Sequence, residues 1–131
     1  MEVYELIYAR LAGDATLQTL LGGTATDTHI YSIQRGGKAV LPGVGMRVTG
    51  GSSDVGHPIS RPSVDFTINS KVSAAEVLSI SIQIETLLNR ATVRGSGMVI
   101  HLARLVFKRD DYDSETQQFS RDERYALIVG Q

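Results

Sequence analysis

The last third of the chain constrains the fold most. Between Val99 and Val129 two apolar runs, VIHLARLVF and RYALIV, flank the polar segment KRDDYDSETQQFSRDE. Such a pattern predicts a long antiparallel hairpin with a charged connection. Strict alternation puts Val99, Ala103, Leu105 and Phe107 on one side of the first strand, and Ile100, Leu102 and Val106 on the other. Both faces then need cover, as in a strand buried on two sides. One small domain offers one core. The second cover is expected from another copy of the chain, which points to assembly before catalysis.

At 131 residues, with 42% apolar and 21% charged residues, the sequence fits one globular domain, 1–131. The absence of Cys excludes a disulfide framework, a thiolate metal cluster and a Cys nucleophile. A formal charge of −1 supplies no global field for nucleic acid or an anionic membrane, so neither is expected as a specific partner. The opening MEVYELIYARLAG starts acidic and is interrupted by Glu5 and Arg10, unlike a signal peptide. No stretch is apolar for long enough to span a bilayer. The expectation is a protein made and folded in the cytoplasm.

Along the chain, Val3, Leu6, Ile7 and Leu11 recur at helical spacing over residues 2–12, with Gly13 as the stop. Asp14 is placed to cap a second short helix, ATLQTLL, ended by Gly22 and Gly23. That helix lacks Lys and Arg, which argues against a DNA-reading helix-turn-helix. HIYSI (29–33) and VGMRVT (44–49) read as strands, and Gly50 to Pro62 as a mobile loop or an arm ordered by a partner. Val64, Phe66 and Ile68 alternate with Asp65, Thr67 and Asn69 as in a half-buried strand. For residues 73–90 the ends decide for helix: Ser73 and Glu76 form a capping box, Arg90 suits the C-terminal dipole, and Val77, Ile80, Ile84, Leu87 and Leu88 make one stripe. Leu78 and Ile82 lie off that stripe, so the helix is apolar over a wide arc. ATVRGSG reads as an exit loop. The fold class is therefore α+β, a mostly antiparallel sheet packed against one long helix, with short N-terminal helices.

Catalytic and metal signals are weak. His29, His57 and His101 are scattered and lack any metal-binding spacing, and His101 reads as a core or interface histidine. Asp110, Asp111, Asp113 and Glu115 partly imitate a calcium loop, but Thr116 replaces its glycine and Asp122 stands where a bidentate Glu closes the site. A solvated hairpin tip is the simpler reading. RGGKAV (35–40) lacks the full phosphate-loop pattern, and no nucleophile-elbow, zinc-protease or dinucleotide motif occurs. No catalytic residue, cofactor or metal is expected.

With that order of elements in hand, the chain resembles the small tail-terminator and tail-completion proteins of long-tailed bacteriophages. The resemblance rests on the opening helix followed by ATLQTLLGG, on HIYSI before LPGVG, on RPSVDFTINSK running into SAAEVLSISIQIETLL, and on the ending VFKRDDYDSETQQFSRDERYALIV. It implies a virion structural protein, not an enzyme, assembled in the host cytoplasm and located at the neck of the tail. Copies form a ring, usually of six, that caps the tail tube, ends its polymerisation and meets the head connector or stopper protein. A radius of gyration of about 14 Å gives spheres of roughly 36 Å, and a ring of six leaves a hole about as wide as one, so DNA passes without specific binding. The alternatives are a head-side neck adaptor and, less well supported, a small hydrolase or metal enzyme. Subunit contacts are expected at Leu78, Ile82, Val99, His101, Leu105 and Phe107. Contacts with tube and connector are expected in the polar loops, at Asp54, His57, Arg61, Asp110, Asp111, Asp113 and Glu115.

Overall fold

A computed structural model describes residues 2–24, 27–32, 41–50, 59–95 and 97–130. The elements run α1 (Val3–Ala12), α2 (Ala15–Leu21), β1 (Ile30–Ser32), β2 (Gly43–Thr49), β3 (Ser63–Ser70), α3 (Ala74–Leu88), β4 (Val93–Gly95), β5 (Met98–Asp113) and β6 (Gln118–Gly130). Their ends follow the expected chemistry. Asp14 Oδ2 accepts from the Leu17 N–H at 2.8 Å, and Gly22 closes α2 at φ 69°, a left-handed conformation that favours glycine. The next residue is fixed by space instead. A Cβ on Gly23 would lie 2.5 Å from Gln18 Oε1 and 2.8 Å from the Asp27 carbonyl oxygen.

The six strands form one mixed sheet in the order β1-β2-β3-β6-β5-β4, with β1 parallel to β2 and every other pair antiparallel. The sheet curls, since α1 touches β2 near one edge and β4 at the other. The expected single long helix is corrected: α3 has 15 residues, and α1 and α2 pack beside it. Leu6, Ile7, Leu11, Leu17 and Leu21 of the first two helices join Ile80, Ile84 and Leu88 of α3 in one core with Val64, Phe66 and Ile68 of β3. Phe66 meets Tyr125 edge-on, with centroids 5.7 Å apart, the arrangement aromatic quadrupoles prefer. Among the described residues no helix is long and apolar enough to cross a membrane.

The expected stripe of α3 is buried, while Leu78 and Ile82 stand 46% and 54% exposed. Ser73 caps the helix as expected, while the parts assigned to Glu76 and Arg90 differ. Ser73 Oγ accepts from the Glu76 N–H at 3.1 Å, but the Glu76 carboxylate accepts from Ser70 Oγ at 2.8 Å, a strand-to-helix tie. Arg90 lies beyond the helix at φ 60°, and its N–H donates to the Ala103 carbonyl at 2.6 Å.

Three further corrections concern the sheet. Residues 93–95 of the expected exit loop are β4, held by buried Val93 and paired with Met98–Ile100. The end of the expected loop at 50–62 is tied down, because Ser60 and Val129 exchange backbone hydrogen bonds and the Leu127 N–H donates to the Pro62 carbonyl. Residues 51–58, and with them Asp54 and His57, lie outside the described residues.

The third correction is the largest. The charged segment is strand rather than connection, and the turn occupies only residues 114–117. Lys108 faces Glu123, Arg109 faces Asp122 and Asp110 faces Arg121, so three successive rungs pair opposite charges. Of these, Asp110 and Arg121 are in contact at 3.3 Å, and an opposite-charge cross-strand pair stabilises a ladder by roughly 0.2–1 kcal/mol, which helps sustain strands that bury little. Register shifts between Ile100 and Leu102 and between Leu105 and Phe107 also break the alternation expected along β5. Ile100 and Ala103 are both fully buried and Leu105 packs against the core, while Val106 and Phe107 are 46% and 51% exposed.

Candidate functional site

Two flanks of α3 have different neighbours. On one, Gln83 Nε2 donates to Asp14 Oδ2 and the Leu87 carbonyl accepts from Arg10 Nε, which ties the helix to α1 and α2. On the other, Asn89 Oδ1 accepts from the Leu105 N–H at 3.1 Å. Leu78, Ile82 and Asn89 share that second flank at helical spacing, so the two exposed apolar side chains are turned towards β5. Beyond Leu105, Lys108, Asp110 and Tyr112 are exposed on the same sheet face. The helix flank and the outer half of β5 thus make one open shelf.

The expected subunit residues divide across this geometry. Leu78 and Ile82 border the shelf, and Leu105 packs against the core at its inner end. Phe107 lies on the opposite sheet face, opposite Arg124, where it borders a shallow depression with Arg47, Asp65, Thr67 and Asp122. Val99 is half-buried near β4, and His101 is exposed at the first bulge. Of the two readings of His101, core or interface, the core one is therefore corrected.

The expected partner residues separate as well. Arg61 is exposed beyond the start of β3, whereas Asp110, Asp111, Asp113 and Glu115 are exposed along the hairpin towards its turn. Ser63 pairs with Ala126 and Ser70 with Phe119, so the two groups sit near opposite ends of β3, roughly 25 Å apart at the strand rise. Asp113 Oδ1 accepts from the Glu115 N–H at 2.9 Å, and this bond with the weaker one from Thr116 lowers the Asp113 pKa. These bonds close the turn. Among the described residues no group of three or more His, Asp or Glu is placed to hold a metal.

Two polar clusters were not anticipated from sequence. On the outer sheet face Asp65 lies between Arg47 and Arg124, with Arg124 Nε donating to Asp65 Oδ1 at 2.7 Å, while Thr67 donates to Asp122. Under α3, Ser81 Oγ donates to Glu123 Oε1 at 2.7 Å, and both residues are 1% exposed. Burial raises the Glu123 pKa, against the opposing effects of the Ser81 bond and the Arg121 charge. Burial likewise raises the Tyr125 hydroxyl. The alternation of Glu123 with Tyr125, Leu127 and Val129 places it on the core face, but Glu123 stands in the polar segment, which reads as a solvated connection.

His29, the one buried histidine among the described residues, is structural. Its Nδ1 lies 2.7 Å from the Leu21 carbonyl oxygen, and the residue adopts φ 56° between α2 and β1.

No family model matches the chain, and no curated protein matches it. The fold is similar to that of a chain in a solved structure described as the virion of a native gene transfer agent (GTA) particle. The TM-score is 0.77 at 15% identity, covering 98% of this chain and 95% of that one. The curled α+β architecture is thus that of a chain found in a virion.

Proposed function

We propose that this protein is a structural component of a phage-like virion, in which copies join head to tail in a ring that caps the tail tube, ends its growth and meets the head connector. The observation that carries the reading is the likeness of fold, over nearly the whole chain, to a chain of the GTA virion. The exposed residues support it. Leu78 and Ile82 on the shelf and Phe107 on the other sheet face are large apolar side chains in water, the kind of surface that marks association. A formal charge of −1 suits a lumen that lets DNA pass without gripping phosphates. The ring is usually of six copies, and Arg61 and the acidic hairpin, near opposite ends of the sheet, are suited to contact different neighbours along the tail axis.

Sizing at high concentration, with electron microscopy of particles that carry the protein, tests this reading. Six copies of 14.2 kDa give about 85 kDa. A closed ring at the end of the tail tube is expected. A protein that binds the portal and not the tube is instead a head-side adaptor.

A further inference from the structure

Among the described residues, the outer edge of β5 is bare over most of its length. β4 pairs only with Met98–Ile100, and the segment after α3 uses the Ala103 carbonyl and the Leu105 N–H. From Phe107 to Asp113 no strand lies on that side among the described residues, and the Tyr112 N–H falls back on the carboxylate of Asp111. Natural edges are commonly blunted by bulges and charged side chains, which oppose any strand that brings the same charges against them. The bulge between Leu105 and Phe107 blunts the inner part, but the charges beyond it are not alike. Lys108 and Arg109 are followed by Asp110 and Asp111, so one half of the strand is positive and the other negative.

We infer that this edge pairs with the same edge of a second copy, antiparallel and about a two-fold axis at Asp110. Residues directly opposite in an antiparallel pair share a sheet face. This register meets that condition: Arg109 lies opposite Asp111 of the second copy, twice over, on the outer face. Lys108 lies opposite Tyr112 of the second copy on the α3 face, an ammonium beside an aromatic ring. The two Asp110 carboxylates meet near the axis, each already 3.3 Å from its own Arg121 and with Lys108 of the other copy diagonal to it. A uniformly charged strand from another protein gains half of these pairings and opposes the other half. The strand's own reverse gains both. The contact is two-fold, so it differs from the head-to-tail contact of a ring and does not rest on that reading. It covers the edge in the free protein.

Charge reversal tests it at residues that are well exposed, with Arg109 and Asp111 side chains 65% and 63% accessible. Sedimentation is measured for the wild type, for Arg109→Glu, for Asp111→Lys and for an equimolar mixture of the two variants, with melting curves as the folding control. Each variant alone sets like charges opposite one another in both symmetric positions, whereas in the mixture a negative strand meets a positive one. The wild type is expected to form a dimer, each variant to associate about tenfold or more weakly, and the mixture to recover the dimer. Variants that associate as the wild type does, a mixture that stays monomeric, or a wild type that remains monomeric at millimolar concentration overturns the pairing. A six-copy species untouched by the reversals also overturns it and leaves the ring standing.

Discussion

Glu123 shows how one residue can make stability depend on pH. One carboxylate oxygen accepts from Ser81, and the other has no hydrogen-bond partner among the described residues. Burial raises its pKa above the ordinary 4.5, so the fold favours the neutral acid. The sign follows from linkage: the contribution is full below the pKa of the unfolded chain and is lost as pH rises through the higher folded value. Glu123→Gln keeps an acceptor for Ser81 and removes that dependence, so the melting temperature of the variant minus that of wild type should grow between pH 4 and pH 8. A difference that stays flat or shrinks contradicts the assignment. Ser81→Ala removes the donor and should cost about 1–3 kcal/mol at neutral pH in denaturant unfolding. His29→Gln should lower the melting temperature while the folded protein still assembles, because the ring fixes the Leu21 carbonyl and takes no part in the proposed contacts. Normal folding with loss of assembly would assign His29 to an interface instead.

Among the elements, those that bury one regular stripe were legible in the sequence. β3 alternates as Val64, Phe66 and Ile68 announce, α2 begins at its Asp14 cap, and the core side of α3 follows its helical spacing. What escaped lacks a hydrophobic period. β4 has three residues and one buried anchor, and the charged halves of β5 and β6 set opposite charges across the ladder, Asp110 and Arg121 within 3.3 Å, a pattern that apolar alternation cannot mark. The bulges after Ile100 and Leu105 leave no signature either, so side assignments along β5 failed there. At the candidate surface, the exposed flank of Leu78 and Ile82 was readable from the helical wheel. The buried Glu123 and the Asp65 cluster were not, since their partners come from distant strands and helices. For the shelf itself, replacing both Leu78 and Ile82 with Ser should leave stability within about 0.5 kcal/mol per site, as for surface changes. The same double variant should lose ring assembly while keeping any pairing through the edge of β5. Unchanged assembly would place the subunit contact elsewhere on the sheet.

At the scale of the whole molecule, the described residues form a small curled sheet with helices α1 to α3, and among them one flank of α3 and a long strand edge are uncovered. The Asp110–Asp111 half of β5 and Arg61 lie near opposite ends of β3, and in the proposed ring they would face different neighbours. The proposed role of the chain is a ring in a virion. It is tested most directly by imaging particles in which the protein carries a small electron-dense label. The account predicts label in a closed ring, of six copies, at the junction of tail tube and head connector. Label spread along the tube, confined to the capsid shell, or absent from mature particles would contradict it.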